Sequence, residues 1–233
     1  MQGAINVIAH HYISLPHVTW LIGVGFPESI KPSVFEEHEC RRRVELSRCW
    51  GLVASLAFRR PTRYHKILAE LVRARSQPTI VITTSIDGLI AEALGEARVI
   101  ELYGSVRRLR CTRCGETSSM PQPPPASPPS CRSCKGFMVP DIVLPGEPIP
   151  RHRLMEALGT ATSSDLVMLL ALEHDKAPQS LIPVISWRMG SRIVYVSEEP
   201  VEPFSSIASI TVRKAPGEFL EELLSLIQLE GKA

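Results

Sequence analysis

Thr79-Ile80-Val81-Ile82-Thr83-Thr84 is a run of six β-branched residues. Branching at Cβ stiffens χ1 and suits a pleated strand better than a helix, so the run reads as β structure. Three other short runs share its character: residues 17–24, residues 165–172 (DLVMLLAL) and residues 192–197 (RIVYVS). Helical patterns lie between or after them, at 64–75, 90–94, 153–158, 181–189 and 217–228. The last carries Phe219, Leu220, Leu223, Leu224 and Ile227 at helical spacing and reads as a core-packing helix. Buried strands alternating with helices predict a parallel sheet covered on both faces. In such a sheet, ligands bind beyond the carboxyl ends of the strands, near a switch in strand order. The loops that begin at Gly23, Thr83, Ala171 and Ser197 are therefore where chemistry belongs. Gly23-Val24-Gly25-Phe26-Pro27 is a glycine-rich turn, a weak phosphate signal because two glycines also suit any tight turn.

Between the second and third strand runs lie Cys111, Cys114, Cys131 and Cys134, two Cys-x-x-Cys pairs with sixteen residues between them. Each pair turns two thiolates onto one ion, and two pairs close a tetrahedron. Four sulfur ligands with no open position describe structural zinc rather than a catalytic metal. The alternative is two disulfides, unusual in an intracellular mesophile. Residues 120–129 (MPQPPPASPP) predict a stiff polyproline II arm, read as a spacer or as a ligand for an aromatic groove on a partner. Cys40 and Cys49 are left over. Buried free thiols are the default for them, and a disulfide is the alternative in a hyperthermophile.

The 233 residues are 44% apolar, enough for a full core, which excludes global disorder. No apolar run reaches membrane-span length. Residues 4–26 are broken by His10, His11, Pro16 and His17 and lack a basic start, so no secretory signal is read there and a soluble, cytoplasmic protein is expected. The net charge of +2 is unevenly distributed. Residues 31–135 hold 18 basic and 10 acidic groups, whereas residues 136–233 hold 8 and 13. Within 41–75 there are 10 basic groups to 2 acidic, and arginines outnumber lysines 20 to 6 overall. The first reading is an ion-paired helical face, and a nucleic-acid surface is the alternative. That surface lacks a base-reading motif, and only Trp50, Phe58 and Tyr64 supply aromatics.

From about Leu21 onward the chain resembles the sirtuin family of NAD-dependent protein deacylases. Residues 61–71 (PTRYHKILAEL) resemble the family's P-N-x-x-H-x-x-L-x-x-L helix, and residues 82–89 (ITTSIDGL) its I-T-Q-N-I-D-G-L segment. Residues 99–105 (VIELYGS) resemble V-I-E-L-H-G-S, followed at family spacing by the first cysteine pair. Residues 140–147 resemble P-D-V-V-x-F-G-E, and residues 165–183 align without a gap to a further family segment. The resemblance implies an α/β fold: a Rossmann-like parallel sheet flanked by helices, a smaller inserted zinc lobe built on the four cysteines, and a helical insertion. The expected division is a large domain from 1–30, 64–104 and 141–233, an Arg-rich helical insertion at 31–63 and a zinc-binding small domain at 105–140. Two insertions from one sheet are placed to meet as a second small domain.

The resemblance also implies site residues. Tyr103 occupies the position of the family's catalytic base, a histidine. Gly23, Gly25, Thr83, Ser85, Ile86 and Asp87 occupy cofactor positions. The departures fall on these motifs. A phenol with a reference pKa near 10 is a poor base at neutral pH. Thr84 and Ser85 replace Gln and Asn. Pro27 replaces a serine and has no N–H for a phosphate. Glu36 replaces an arginine, Ala171-Leu172-Glu173 replaces G-T-S, and Ser197 replaces an asparagine ahead of Glu198 and Glu199. If these carboxylates surrounded the crevice, each buried like-charge contact would cost on the order of a few kcal/mol. The expectation is thus a catalytically impaired relative, held together by zinc, that binds a protein partner, with NAD held poorly or not at all. A divergent active deacylase or ADP-ribosyl transferase is the first alternative, and a nucleic-acid-associated protein the second. His10, His11 and His17 read as packing or surface residues, His65 as a structural hydrogen-bonder, and His174 and Asp175 as surface loop. His38 is the one histidine near the cofactor loop with a chance of replacing the base.

Overall fold

The computed structural model describes residues 2–40, 42–172 and 180–230. Among the described residues, nine strands form two sheets. The larger contains β1 (Val18–Ile22), β2 (Thr79–Thr83), β3 (Val99–Glu101), β7 (Leu166–Leu170), β8 (Arg192–Val196) and β9 (Ile210–Val212). Its order is β3-β2-β1-β7-β8-β9, and every neighbouring pair is parallel. The smaller sheet is antiparallel, with β4 (Gly104–Cys111) between β5 (Thr117–Ser119) and β6 (Met138–Ile142).

The four strands predicted from β-branched and apolar runs form the centre of the large sheet. Residues on β1 and β7 are buried throughout. Trp20, Ile22, Met168 and Leu170 enter one core with helices α1 (Gln2–Ser14), α4 (Arg63–Ala74) and α9 (Pro216–Glu230). Leu21, Val167 and Leu169 enter the opposite core, with α6 (Arg151–Thr162), α7 (Leu181–Arg188) and α8 (Phe204–Ile207). Successive side chains of a strand point to opposite faces, so covering both faces requires the unbroken apolar runs seen in the sequence.

Helix α1 is not among the helical patterns read from the sequence; residues 4–26, broken at His10, His11, Pro16 and His17, divide into α1 and β1. Ile5, Ile8, Ala9 and Tyr12 are buried and follow the helical spacing i, i+3, i+4, i+7. His10 and His17 are exposed. His17 pairs with Asp165 at 3.3 Å, so the histidines lie outside any ligand cluster among the described residues.

Residues 31–63 contain α2 (Val34–Glu37), a 3-10 turn (Arg43–Ser47) and α3 (Trp50–Phe58). Phe35, Leu46, Trp50 and Val53 share one core with Val106, Leu109, Met120 and Met138 of the cysteine lobe. The two insertions therefore pack together. The proline-rich arm belongs to this union: the Trp50 indole N–H donates to the Pro125 carbonyl at 2.7 Å, and the Gln122 amide donates to Ala57 O at 3.3 Å. The aromatic partner of the arm lies within its own chain.

Cys40 and Cys49 form a disulfide across this insertion, correcting the default reading of free thiols. The arginines of 41–75 pair extensively. Arg59 faces Glu28 at 3.6 Å, Arg60 faces Glu92 at 3.0 Å, and Arg63 faces Glu221 at 3.2 Å. Arg75 is buried, donates to Leu15 O at 2.7 Å and stacks over the Tyr12 ring at 5.0 Å. Among the described residues no helix is long and apolar enough to cross a membrane.

Candidate functional site

The strand order reverses between β1 and β7, so the candidate crevice lies beyond their carboxyl ends. The two loops touch there. Gly23 N–H donates to Leu170 O at 2.9 Å, and Gly25 N–H to Ala171 O at 3.1 Å. A Cβ at Gly23 would lie 2.2 Å from Ala171 O, so only glycine permits this approach. Ala171 has φ +57°, a left-handed turn kept although its residue is no longer glycine. Glu173, His174 and Asp175 lie outside the described residues.

The loop after β2 is fixed from several sides. Asp87 is buried, and its Oδ2 accepts the Ser85 hydroxyl at 2.6 Å and Ile30 N–H at 3.3 Å. Its Oδ1 accepts Leu89 N–H at 2.9 Å, at the start of α5 (Leu89–Leu94). Ile86 N–H donates to Ile30 O at 3.2 Å, and Ser85 N–H to Thr83 Oγ1 at 3.1 Å. The structure thus gathers Gly23, Gly25, Thr83, Ser85, Ile86 and Asp87 into two facing loops, with the carboxylate of Asp87 engaged by its own chain.

Tyr103 follows β3, and its ring packs between the core of the small lobe and that of the large domain. Burial pushes its phenol above the ordinary value of 10. Among the described residues, histidine does not replace it. His38 is exposed, and its Nδ1 donates to Val34 O at 2.9 Å. His65 caps α4: Thr62 N–H donates to its Nδ1 at 3.3 Å, which places the ring proton on Nε2. Burial lowers its pKa from 6.5, and Phe26 meets the ring edge-on at 5.2 Å. The structural role expected for His65 agrees with these contacts.

The carboxylates expected to line the crevice are placed differently. Glu36, Glu198 and Glu199 are exposed to solvent. Water screens them, so the large buried like-charge penalty does not apply. Two backbone positions of the first loop bear on a dinucleotide more directly. Pro27 offers no N–H, and the Gly25 N–H is already taken by Ala171 O. A pyrophosphate needs such donors. Ser29 Oγ and His65 Nε2 are buried polar atoms of this region without a partner. Among the described residues, Gly25 and Pro27 therefore offer no free N–H to a phosphate.

The cysteine site fits its expected metal. The four sulfurs lie within 4.8 Å of one another, with Cys111–Cys134 at 3.4 Å and Cys114–Cys131 at 3.6 Å. A tetrahedron with metal–sulfur bonds of ~2.3 Å has edges of about 3.8 Å. Both knuckles are tight turns: Gly115 N–H donates to Cys111 O and Lys135 N–H to Cys131 O, each at 3.1 Å. At Gly136 a Cβ would stand 3.1 Å from Cys111 Sγ and 3.3 Å from Cys134 Sγ. Backbone N–H groups, Cys114 first, lower the Cys111 thiol to about 6, while the Glu116 carboxylate against Cys131 pushes that thiol up to about 12.

A buried ion network, which the sequence did not reveal, joins the lobes behind this site. Asp141 on β6 accepts from Arg153 on α6 and lies 3.4 Å from Arg108 Nε, while Arg108 also meets Glu101 at 3.0 Å. Arg108 and Asp141 stand 33 positions apart, so no local pattern announces their pairing.

This layered sheet with an inserted cysteine knuckle is that of a Sir2-type α/β protein, and comparison with known proteins agrees. The Sir2 family profile matches residues 31–172. An NAD-dependent protein deacylase of Aeropyrum pernix is 37% identical over 174 residues, covering 75% of this chain and 69% of that protein. NAD-dependent protein deacylase 2 of Pyrobaculum aerophilum is 34% identical over 169 residues, 72% of this chain and 67% of the relative. The solved structure of Sir2Af2 bound to a myristoylated histone peptide superposes with a TM-score of 0.72 at 26% identity, over the whole of both chains. The chain belongs to the Sir2 family.

Proposed function

We propose that this chain is a Sir2-family protein without deacylase activity, a zinc-stabilised module that binds a protein partner in the cytoplasm. The observation that carries the reading is Tyr103. At the family's base position stands a phenol whose pKa burial raises above 10, so it stays protonated at neutral pH and cannot take a proton from a ribose hydroxyl. The absent Pro27 donor and the internal saturation of Asp87 support it further. Cys111, Cys114, Cys131 and Cys134 would hold zinc as a structural cross-link with no open coordination position. The solved relative's histone peptide makes an acylated protein tail the first partner to test. The test is nicotinamide release from NAD with a myristoylated or acetylated histone peptide, run beside an active relative. Background release supports the proposal, and turnover comparable to the relative's overturns it.

A second reading is favoured by the unpartnered Ser29 Oγ and His65 Nε2 and by the Gly23–Ala171 contact, which preserves the shape of the turn. On it, the crevice keeps affinity for an ADP-ribose-like ligand, with the chemistry limited to NAD cleavage or ADP-ribosyl transfer. Calorimetric titration with NAD and with ADP-ribose separates the two. Micromolar binding selects the second.

A further inference from the structure

We propose that Cys40 and Cys49 are a reversible redox modification site whose state sets the order of residues 31–49 and, through Ile30, of the candidate crevice. Three features of the insertion carry this inference.

The first is that the surroundings of both sulfurs suit the dithiol as well as the disulfide. Cys40 Sγ lies 3.2 Å from Glu45 O, and Cys49 Sγ lies 3.4 Å from His38 O. A disulfide sulfur has no hydrogen to donate, whereas each thiol of the reduced pair would meet a carbonyl acceptor already in place. Reduction leaves no buried polar group newly stranded.

The second is position. Cys49 is the N-cap residue of the nine-residue helix α3, and its side chain makes no capping hydrogen bond. A thiolate at an N-cap position lies near the positive end of the helix, which favours it as a leaving group. Cys40 is 2% exposed, whereas Cys49 is only partly buried. The reaction is balanced with a dithiol as reductant. One thiolate of the reagent attacks Cys49 Sγ, the accessible sulfur, and Cys40 leaves as thiolate and takes a proton. The second thiol of the reagent then attacks its own sulfur in the mixed disulfide and expels Cys49, the thiolate that the helix terminus stabilises. Two electrons and two protons pass to the pair, and the reagent leaves as a cyclic disulfide.

The third is connection. Among the described residues, the segment between the cysteines contains a 3-10 turn and no strand; its backbone bonds are local, Glu45 N–H to Arg42 O and Arg48 N–H to Glu45 O, and Leu46 anchors it in the core. Ten positions before Cys40, beyond α2, stands Ile30, whose N–H binds Ser85 Oγ at 3.2 Å and Asp87 Oδ2 at 3.3 Å and whose carbonyl accepts Ile86 N–H. Loosening of 31–49 therefore reaches the loop that holds the candidate cofactor residues.

The test is hydrogen exchange by mass spectrometry on the full, zinc-loaded chain, equilibrated in dithiol/disulfide buffers of stepped potential. The thiol count and the zinc content are followed in parallel. The expected result is two new thiols at a potential within the range of the buffers, with zinc retained. In the same step, amide exchange should speed up roughly 50–100-fold in 34–49, the scale for releasing a cross-link of this loop length, and more modestly at 30 and 86. The double variant Cys40→Ser/Cys49→Ser should show the fast pattern at every potential. A pair that stays oxidised at the most reducing potential overturns the proposal. So does reduction that leaves exchange in 31–49 unchanged. Neither outcome depends on whether the chain deacylates.

Discussion

Replacing Asp141 with asparagine keeps the shape of the side chain and removes its charge from the junction of the two lobes. The carboxylate is 6% exposed, and it faces Arg153 at 10%, Arg108 at 33% and Arg110 at 45% side-chain exposure. Water screens the two outer guanidiniums, and Glu101 remains beside Arg108, so little of the effect is expected from them. Arg153 is the cation left buried, and its Nη1 already lacks a partner. Breaking a buried pair from one side typically costs about 3–5 kcal/mol. A cleft of about 370 Å³, lined by Glu101, Arg108, Asp141 and Arg153 among others, admits water beside the network and favours the lower end of that range. With a denaturant slope of ~3 kcal/mol per molar for a chain of this size, Asp141→Asn should lower the urea midpoint by about 1 M. Arg153→Met should cost less, because Asp141 keeps two other guanidiniums. The double variant should lose less than the sum of the single ones. A midpoint shift below about 0.3 M for Asp141→Asn, or additive losses in the double variant, would refute the assignment of Asp141 as the inter-lobe clamp.

Gly23→Ala places a methyl group 2.2 Å from the Ala171 carbonyl and forces the β1 and β7 loops apart. A cost of about 2 kcal/mol should appear as a fall in Tm of roughly 4–8 °C by calorimetry, and an unchanged Tm would show that the loops adjust freely. Chelation of zinc, or Cys131→Ser, should abolish a one-to-one metal content and speed hydrogen exchange in residues 105–140 while the six-stranded sheet stays protected. Uniform loss across both sheets would contradict a local structural role. His65, whose pKa burial lowers from 6.5, gives a pH dependence of known sign. Just below pH 6.5 the unfolded chain binds a proton that the folded chain refuses. Stability therefore falls as pH drops through that range, by at most about 1.4 kcal/mol per pH unit. His65→Gln should flatten this slope in denaturation curves between pH 5 and 7.5, and an unchanged slope would place its origin elsewhere.

Legibility in the sequence follows the length scale of each signal. Strands of five residues with four or more buried are readable, and β1, β2, β7 and β8 stand where their patterns put them. The helices at 64–75 and 217–228 are readable for the same reason. β3 and β9 are three residues long, too short to carry a period, and they acquire strand geometry only by pairing at the sheet edges. Helix α1 has the right spacing, but its histidines and the following Pro16 obscure it. In the candidate site, the order of residues along the chain puts Gly23, Gly25, Thr83, Ser85, Ile86 and Asp87 in two loops, and the structure brings those loops together. Sequence has no means of judging charge. Glu36, Glu198 and Glu199 carry the wrong sign for a phosphate site but are exposed, whereas the Gly25 N–H and the Asp87 carboxylate are already engaged within the chain.

The sequence by itself determined the layered α/β architecture, the four-cysteine knuckle and the family, because each rests on residue type at short and regular spacing. Tertiary structure alone decided which groups are already bonded. Trp50 meets Pro125 across 75 positions, Asp87 holds Ile30 across 57, and Arg108 reaches Asp141 across 33. Such contacts form where the packed core brings distant segments together, and hydrogen-bond saturation and solvent exposure are properties of that packing rather than of any local stretch of chain.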